Sequence, residues 1–94
     1  MEIAKIAVFH GKKIRKMLHE NEWWFSVVDV IEALTDSADP RDYWYRMKIR
    51  VKGEAGVELS TFCRQLKLES SDGKRYETDC ANTENIFRIT PSIL

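Results

Sequence analysis

Residues 66–78, with the sequence LKLESSDGKRYET, consist of two segments of alternating character around a glycine-containing turn. A three-residue loop at 71–73 (SDG) suits an antiparallel hairpin, because glycine readily adopts the left-handed conformation that the last loop position needs. This loop places Glu69 opposite Arg75, so that opposite charges meet on one face and apolar groups meet on the other. The segment therefore predicts a β-hairpin in one defined register.

The same register decides how we interpret the two cysteines, Cys63 and Cys80. It places Cys80 opposite Arg64, so a disulfide would require a slipped pairing of the strands. No second cysteine or histidine stands beside either residue at the spacing that zinc sites use. We therefore expect two reduced thiols in a cytoplasmic protein, with no metal and no cofactor.

The rest of the chain alternates strand and helix signals. Strands rich in β-branched and aromatic residues are predicted at 3–9, 12–18 and 23–25, with turns at 10–11 and 21–22. Helices with capping signals are predicted at 27–34, from 40 to near Gly53, and at 83–89. The predicted fold class is α+β: a small single domain over 1–94, with an N-terminal β-meander, two central helices, a β-hairpin and a short C-terminal helix.

Charge is distributed unevenly along a chain whose total charge is zero. The 94 residues include 15 Lys and Arg and 15 Asp and Glu, so the net charge does not identify a nucleic-acid-binding protein. Cations concentrate at 12–16 (KKIRK) and at 41–52, whereas acids concentrate at 19–39 and 69–84. No apolar run approaches the length of a membrane span, and the N-terminus lacks a signal-peptide pattern.

The helix predicted from residue 40 carries most of the functional information. Its apolar face is formed by Pro40, Tyr43, Trp44, Met47 and Val51. Its candidate DNA-binding residues lie on the far side and on a neighbouring stripe: Arg41, Tyr45, Lys48 and Lys52, then Arg46 and Arg50. Cations neutralise phosphates and tyrosine can stack on a base. A second helix that follows another after four residues is also typical of a helix–turn–helix. A surface helix with a solvated basic face explains the pattern equally well.

The first basic segment, at 12–16, is the second candidate for DNA contacts. If the folded strand lies beside the basic helix, its cations would bind the phosphate backbone: Lys12, Lys13, Arg15 and Lys16. Lysines on an edge strand also protect against aggregation, and this alternative stays open.

Catalysis has little support in the sequence. Asp29 and Glu32 are carboxylates at helical spacing, which acid–base chemistry can use, but a helix cap and a solvated helix face explain them better. His10 and His19 lie in or beside predicted turns without a nucleophile near them. We therefore expect that the protein is not an enzyme.

A protein-interaction module is the alternative function. Trp23 and Trp24 point to opposite faces of a strand, so one is expected in the core and the other against a partner or a covering helix. The acidic segment 69–84 is a second surface for a partner such as a repressor or a DNA-repair protein.

Several sequence blocks, in this order, resemble the Bro-N domain, the N-terminal module of the BRO family. The blocks are residues 24–30 (WFSVVDV), 39–41 (DPR) with Tyr43 and Trp44, and 66–68 (LKL) with 72–74 (DGK) and Tyr76. Together the resemblance runs from about Ile6 to Ile89. It is closest to the bacterial branch that includes DNA-damage-inducible protein D-like members.

This resemblance implies an α+β domain that binds DNA and is usually followed by a variable C-terminal domain. Phage members act as antirepressors, which relieve a repressor. It therefore implies the DNA-binding module of a prophage-type regulator, excised or truncated from a longer chain. A homodimer is a further expectation, since helix–turn–helix proteins often bind DNA in pairs. On this basis we expect charge reversal at Lys48 and Arg50 to weaken DNA binding without unfolding the domain.

Overall fold

An antiparallel sheet of five strands, with three helices, forms the fold. The computed structural model describes residues 3–93, and side chains from residue 6 onward. The strands are β1 (Ile3–Phe9), β2 (Lys12–His19), β3 (Glu22–Ser26), β4 (Arg64–Glu69) and β5 (Arg75–Asn82). The helices are α1 (Val27–Thr35), α2 (Pro40–Ala55) and α3 (Thr83–Ile89), with 3₁₀ turns at Leu59–Phe62 and Thr90–Ser92. The predicted α+β class and element order are confirmed.

The strand order in the sheet is β1-β2-β3-β5-β4. The N-terminal meander and the C-terminal hairpin are thus halves of one sheet, joined where Trp24–Ser26 pairs with Cys80–Asn82. Local sequence signals do not reveal this junction, because it pairs two short segments that are far apart in the chain.

The predicted hairpin register is confirmed at each of its six residue pairs, from Arg64 opposite Cys80 to Glu69 opposite Arg75. Gly73 adopts a φ of 83°, and its N–H donates to the carbonyl of Ser70 over 2.9 Å. This conformation is the left-handed one that the loop length demands.

Two element ends differ from the prediction. The second turn consists of residues 20–21, with φ values of 52° and 64°, so Glu22 belongs to β3. A two-residue turn with both φ values positive explains the shift, because it pairs His19 directly with Glu22. Helix α2 continues through Gly53 to Ala55, and Gly56, with a φ of 69°, caps it in the left-handed conformation.

Apolar side chains pack on both faces of the sheet. One cluster lies between the helices and the sheet, and includes Val27, Ile31, Trp44, Met47, Leu59, Ala81 and Ile89. A second cluster consists of Met17, Trp24, Leu66, Leu68 and Cys80. Side chains of β2 and β4 meet around it although two strands separate them in the sheet. Arg64 Nη1 lies 2.7 Å from His19 Nε2, and Arg15 Nη1 donates to the carbonyl of Glu69 over 3.1 Å. The sheet therefore curls, which covers the second cluster.

Both cysteines are free thiols, as predicted from the hairpin register. Burial raises the pKa of the Cys63 thiol, and also that of Cys80, from the ordinary value of 9.0 to about 12. The native state thus retains both protons between pH 9 and pH 12, where the unfolded chain loses them. The contribution of the protonated thiols to stability is present below pH 9 and is lost as the pH rises to about 12.

We therefore expect the free energy of unfolding to fall between pH 9 and 12, and the fall to be smaller in the Cys63→Ala, Cys80→Ala double variant. Urea titrations at several pH values measure it. At about pH 8, a thiol reagent should modify the unfolded chain much faster than the folded one. Equal rates with the native protein would contradict the burial of the thiols.

Candidate nucleic-acid interface

Helix α2 is held on the body of the domain by one apolar face. Asp39 caps the helix by accepting a hydrogen bond of 3.2 Å from the N–H of Asp42, and proline occupies the first helical position. Trp44 and Met47 are buried, and the indole Nε1 of Trp44 donates to Asp79 Oδ2 over 2.8 Å. The predicted apolar face is confirmed, and it fixes which side of α2 faces the solvent.

The solvent-facing side of α2 has an apolar centre. Tyr45 is 61% exposed and Ile49 is 56% exposed, one turn apart on the helix. Ile49 received no role from the sequence, because an isolated isoleucine in a basic helix gives no signal of its exposure. Its i, i+4 spacing places it beside Tyr45, and the packing of Trp44 and Met47 turns both residues toward the solvent.

Cations flank this apolar centre on both sides. At about 100° per residue, Arg41, Lys48 and Lys52 fall on one side of the line from Tyr45 to Ile49. Arg46 and Arg50 fall on the other side. We call these the first and the second cation row. All six predicted α2 residues therefore lie on or beside one surface, with Lys48 and Arg50 at its margins, where they are only partly exposed.

Most of these cations also bind acceptors in the fold. Arg46 pairs with Asp42 over 2.9 Å, and Lys52 with Glu58 over 2.7 Å, a contact that raises the pKa of the Lys52 ammonium. Arg46 and Lys52 are both exposed, so these ion pairs are weak and easily exchanged for a phosphate. Arg41 has no ionic or hydrogen-bonding partner among residues 3–93.

Lys48 and Arg50 have a structural role that the sequence did not reveal. Lys48 lies 3.7 Å from Asp79 Oδ2 and 5.1 Å from the centre of the Trp44 ring. Arg50 donates from Nη2 to the backbone carbonyl of Ser92. Reversing these two charges would disturb the packing of α2. These contacts therefore do not fit the expectation that the Lys48, Arg50 double charge reversal leaves the domain folded. Arg41 and Arg46 are the better pair for a binding test.

Two lysines of the first basic segment contact groups outside α2. Lys12 lies 3.7 Å from Asp36, which follows α1, and Lys16 sits 4.2 Å above the ring of Trp23. Lys13 is exposed and has no partner among the described residues. Of the four predicted cations, only Lys13 is both exposed and unpaired within that part of the chain.

Arg15 is bound within the fold, and its predicted contact with a phosphate backbone stays a prediction. Its Nε and Nη2 donate to the carboxylate of Asp29 over 2.7 and 3.1 Å, and its backbone N–H donates to the same group over 2.9 Å. The Asp29 side chain is only 15% exposed, so it is neither a solvated helix residue nor a free acid. This contact raises the pKa of the Arg15 guanidinium.

The two tryptophans have opposite environments, as the alternation of a strand requires. Trp24 is buried and donates from Nε1 to the carbonyl of His19 over 3.2 Å. Trp23 is partly exposed beneath the Lys16 ammonium. An aromatic ring covered by a cation from its own sheet has less open surface for a partner than the sequence indicated.

A scan against models of protein families gives no match, and searches of curated proteins and of solved structures return no protein with significant similarity. Within residues 3–93, no three histidine, cysteine, aspartate or glutamate side chains are grouped to hold a metal ion. Over the same residues, no helix combines the length and the apolar character that crossing a lipid bilayer requires.

Proposed function

We propose that this domain binds double-stranded DNA by placing the exposed side of α2 in the major groove. The observation that carries the proposal is the pair Tyr45 and Ile49, which is exposed between two cation rows. The major groove is about 12 Å wide and admits one helix, with a phosphate backbone on either side. Cations on both sides of an apolar line match that arrangement.

In this proposal, Tyr45 and Ile49 at the apolar centre of the surface contact the DNA directly. Apolar side chains in the major groove contact the methyl group of thymine, and a tyrosine hydroxyl can bind a phosphate. Neither Tyr45 nor Ile49 contributes to the buried core, so the fold itself gives no reason for two large apolar groups here.

Reversal of two exposed charges tests the phosphate contacts. The double variant Arg41→Glu, Arg46→Glu is expected to bind a double-stranded oligonucleotide on the order of 10- to 100-fold more weakly at about 50 mM salt. The slope of log affinity against log salt should become shallower by roughly 2, because two fewer counterions are released. Fluorescence anisotropy at several salt concentrations measures both quantities.

A second double variant controls for net charge. Lys67→Glu with Arg88→Glu changes the total charge by the same amount, on β4 and α3, away from α2. It should bind DNA nearly as well as the unchanged protein. The proposal fails if both double variants lose affinity equally, or if the folded Arg41→Glu, Arg46→Glu protein retains its affinity.

Ile49→Ala separates base contact from charge. We expect about fivefold weaker binding to double-stranded DNA with an unchanged salt slope, because an apolar contact releases no counterion. Unfolding in urea should be nearly unaffected, since Ile49 is 56% exposed. A changed slope with unchanged affinity for the duplex would contradict the groove-reading role.

The resemblance to the Bro-N domain supports the same function and adds a biological setting. We propose a non-enzymatic DNA-binding module of a prophage-type antirepressor or transcriptional regulator, located in the cytoplasm.

A further inference from the structure

Strand β1 forms one outer edge of the sheet. The strand order is β1-β2-β3-β5-β4, and within residues 3–93 β1 pairs with β2 alone. The pairing runs without interruption from Ile3 opposite Leu18 to Phe9 opposite Lys12, so the strand contains no bulge. The outer side of β1 is therefore a regular strand edge.

The tight turn after β1 sets the phase of its hydrogen bonds. The two turn residues, His10 and Gly11, have φ values of 52° and 73°. A two-residue turn of this kind makes the flanking residues Phe9 and Lys12 a hydrogen-bonded pair. Alternate residues of an antiparallel strand direct both backbone groups to the same neighbour. Phe9 and Ala7 therefore direct theirs to β2.

The residues between these direct their backbone groups outward, away from β2. They are Ala4, Ile6 and Val8. The N–H of Arg15, which lies opposite Ile6, agrees with this phase. It points away from β1 and donates over 2.9 Å to Asp29 in α1, the helix that follows β3. The edge of β1 thus presents a row of N–H and C=O groups that no strand of the described chain pairs with.

Exposed apolar side chains accompany these backbone groups. Ile6 is 58% exposed and Val8 is 69% exposed, on the same face of β1. Strand β4, RQLKLE, forms the other edge of the sheet and carries three charged residues, which discourage pairing with a further strand. Residues 6–9 of β1 include no charged residue. An apolar edge without such protection is a surface for strand pairing.

We infer that β1 pairs with β1 of a second copy of this chain, antiparallel and about a two-fold axis at Ile6. Ile6 of each copy then lies opposite Ile6 of the other, and Ala4 lies opposite Val8. These are the residues whose backbone groups point outward, so each such pair can exchange both hydrogen bonds. The two sheets become one continuous sheet, in a symmetric dimer.

The charge of β1 favours a second copy in this register. Lys5 is the only charged residue of Ile3–Phe9, and an axis at Ile6 places it opposite Ala7. An axis one residue earlier would set two lysines directly opposite each other, which is destabilising. An axis one residue later would leave Ile3 and Ala4 without partners. The strand is therefore complementary to itself in the register that uses its whole length.

The interface is small, so the dimer should be weak. One strand pair with few exposed side chains buries at most about 1,200 Å² in total, the lower limit for stable complexes. We expect a dissociation constant on the order of 10 to 100 µM. Association is measured with the protein alone, so the inference does not depend on DNA binding.

A charge exchange at the axis tests the pairing. Sedimentation velocity of the full 94-residue chain, from about 1 to about 500 µM, brackets the expected dissociation constant. Ile6→Lys places like charges opposite each other and should raise that constant at least about tenfold, as should Ile6→Glu. An equimolar mixture of the two variants should dimerise at least as tightly as the unchanged protein, because opposite charges then meet.

Phe87→Lys is the matched control. Phe87 lies on α3 and is 71% exposed, so the variant exchanges a similarly exposed apolar group for the same charge away from β1. Its dimerisation should equal that of the unchanged protein. A chain that stays monomeric at about 500 µM would overturn the inference, since strand pairing at the expected affinity would then be absent. Failure of the mixed Ile6 variants to dimerise would also overturn it.

Amide hydrogen exchange tests the edge without any substitution. As the protein concentration rises through the dissociation constant, exchange at Ile6 and Val8 should slow about threefold to fivefold. Exchange at Ala7 and Phe9 should not change, because their N–H groups already bond to β2. Dimerisation that leaves the exchange of Ile6 and Val8 unchanged would place the interface elsewhere and contradict the inference.

Discussion

Replacing Trp24 by alanine is expected to lower the free energy of unfolding by about 3–5 kcal/mol, close to the whole stability of many small domains. The Trp24 side chain is 8% exposed in the cluster between β2 and β4, with the guanidinium of Arg64 5.3 Å from the centre of its ring. The substitution removes the largest member of that cluster and leaves a cavity inside a curled sheet. Urea unfolding followed by circular dichroism measures the loss.

The neighbouring tryptophan supplies the matched control. Trp23→Ala removes the same chemical group one residue away, but from the partly exposed face beneath Lys16. We expect it to cost about 1 kcal/mol, from lost surface packing and a lost cation–π contact. Equal losses for the two variants would show that the assignment of β3 faces is wrong. If Trp23→Ala, but not Trp24→Ala, abolished binding to a protein partner while the domain stayed folded, the alternative function as a protein-interaction module would be supported.

The second large effect is expected from Asp29→Ala. Asp29 accepts three hydrogen bonds from Arg15. One comes from the backbone N–H of Arg15, which lies beyond the part of β2 that pairs with β3. Its removal leaves a partly buried guanidinium and a backbone N–H without this acceptor. Removing one partner of such a pair costs more than the pair contributes, and we expect a loss of about 2–3 kcal/mol.

Glu32→Ala is the control for Asp29→Ala. Glu32 lies on the same helix, has the same charge, and its side chain has no partner among the described residues. We expect its effect to stay within about 0.5 kcal/mol. Denaturant titration of the two variants in parallel measures the difference. Indistinguishable unfolding midpoints would contradict a stabilising role for the Asp29 carboxylate. Arg15 also bonds to Glu69, so Asp29→Ala should additionally loosen the β4–β5 hairpin, which faster amide exchange at Leu68 would report.

Features set by neighbouring residues were predictable from the sequence. Residues 71–73 fixed the hairpin loop, the loop fixed the register, and the register excluded a disulfide. Ser26, Asp39 and Asn82 each cap the helix that follows them, as their positions before helical segments indicated. In each case the deciding contacts span a few residues, so local conformational preference is enough.

Only the tertiary structure decided how these parts combine. The pairing of β3 with β5, the capture of Asp29 by Arg15 and the exposure of Ile49 depend on segments that are distant in the chain. Lysine and arginine illustrate the reason. The sequence does not distinguish a basic residue without an ion pair or hydrogen bond, such as Arg41 among the described residues, from one bound within the fold, such as Arg15 or Lys48. Its role depends on which acceptor lies within reach, and the long-range packing of the chain sets that distance.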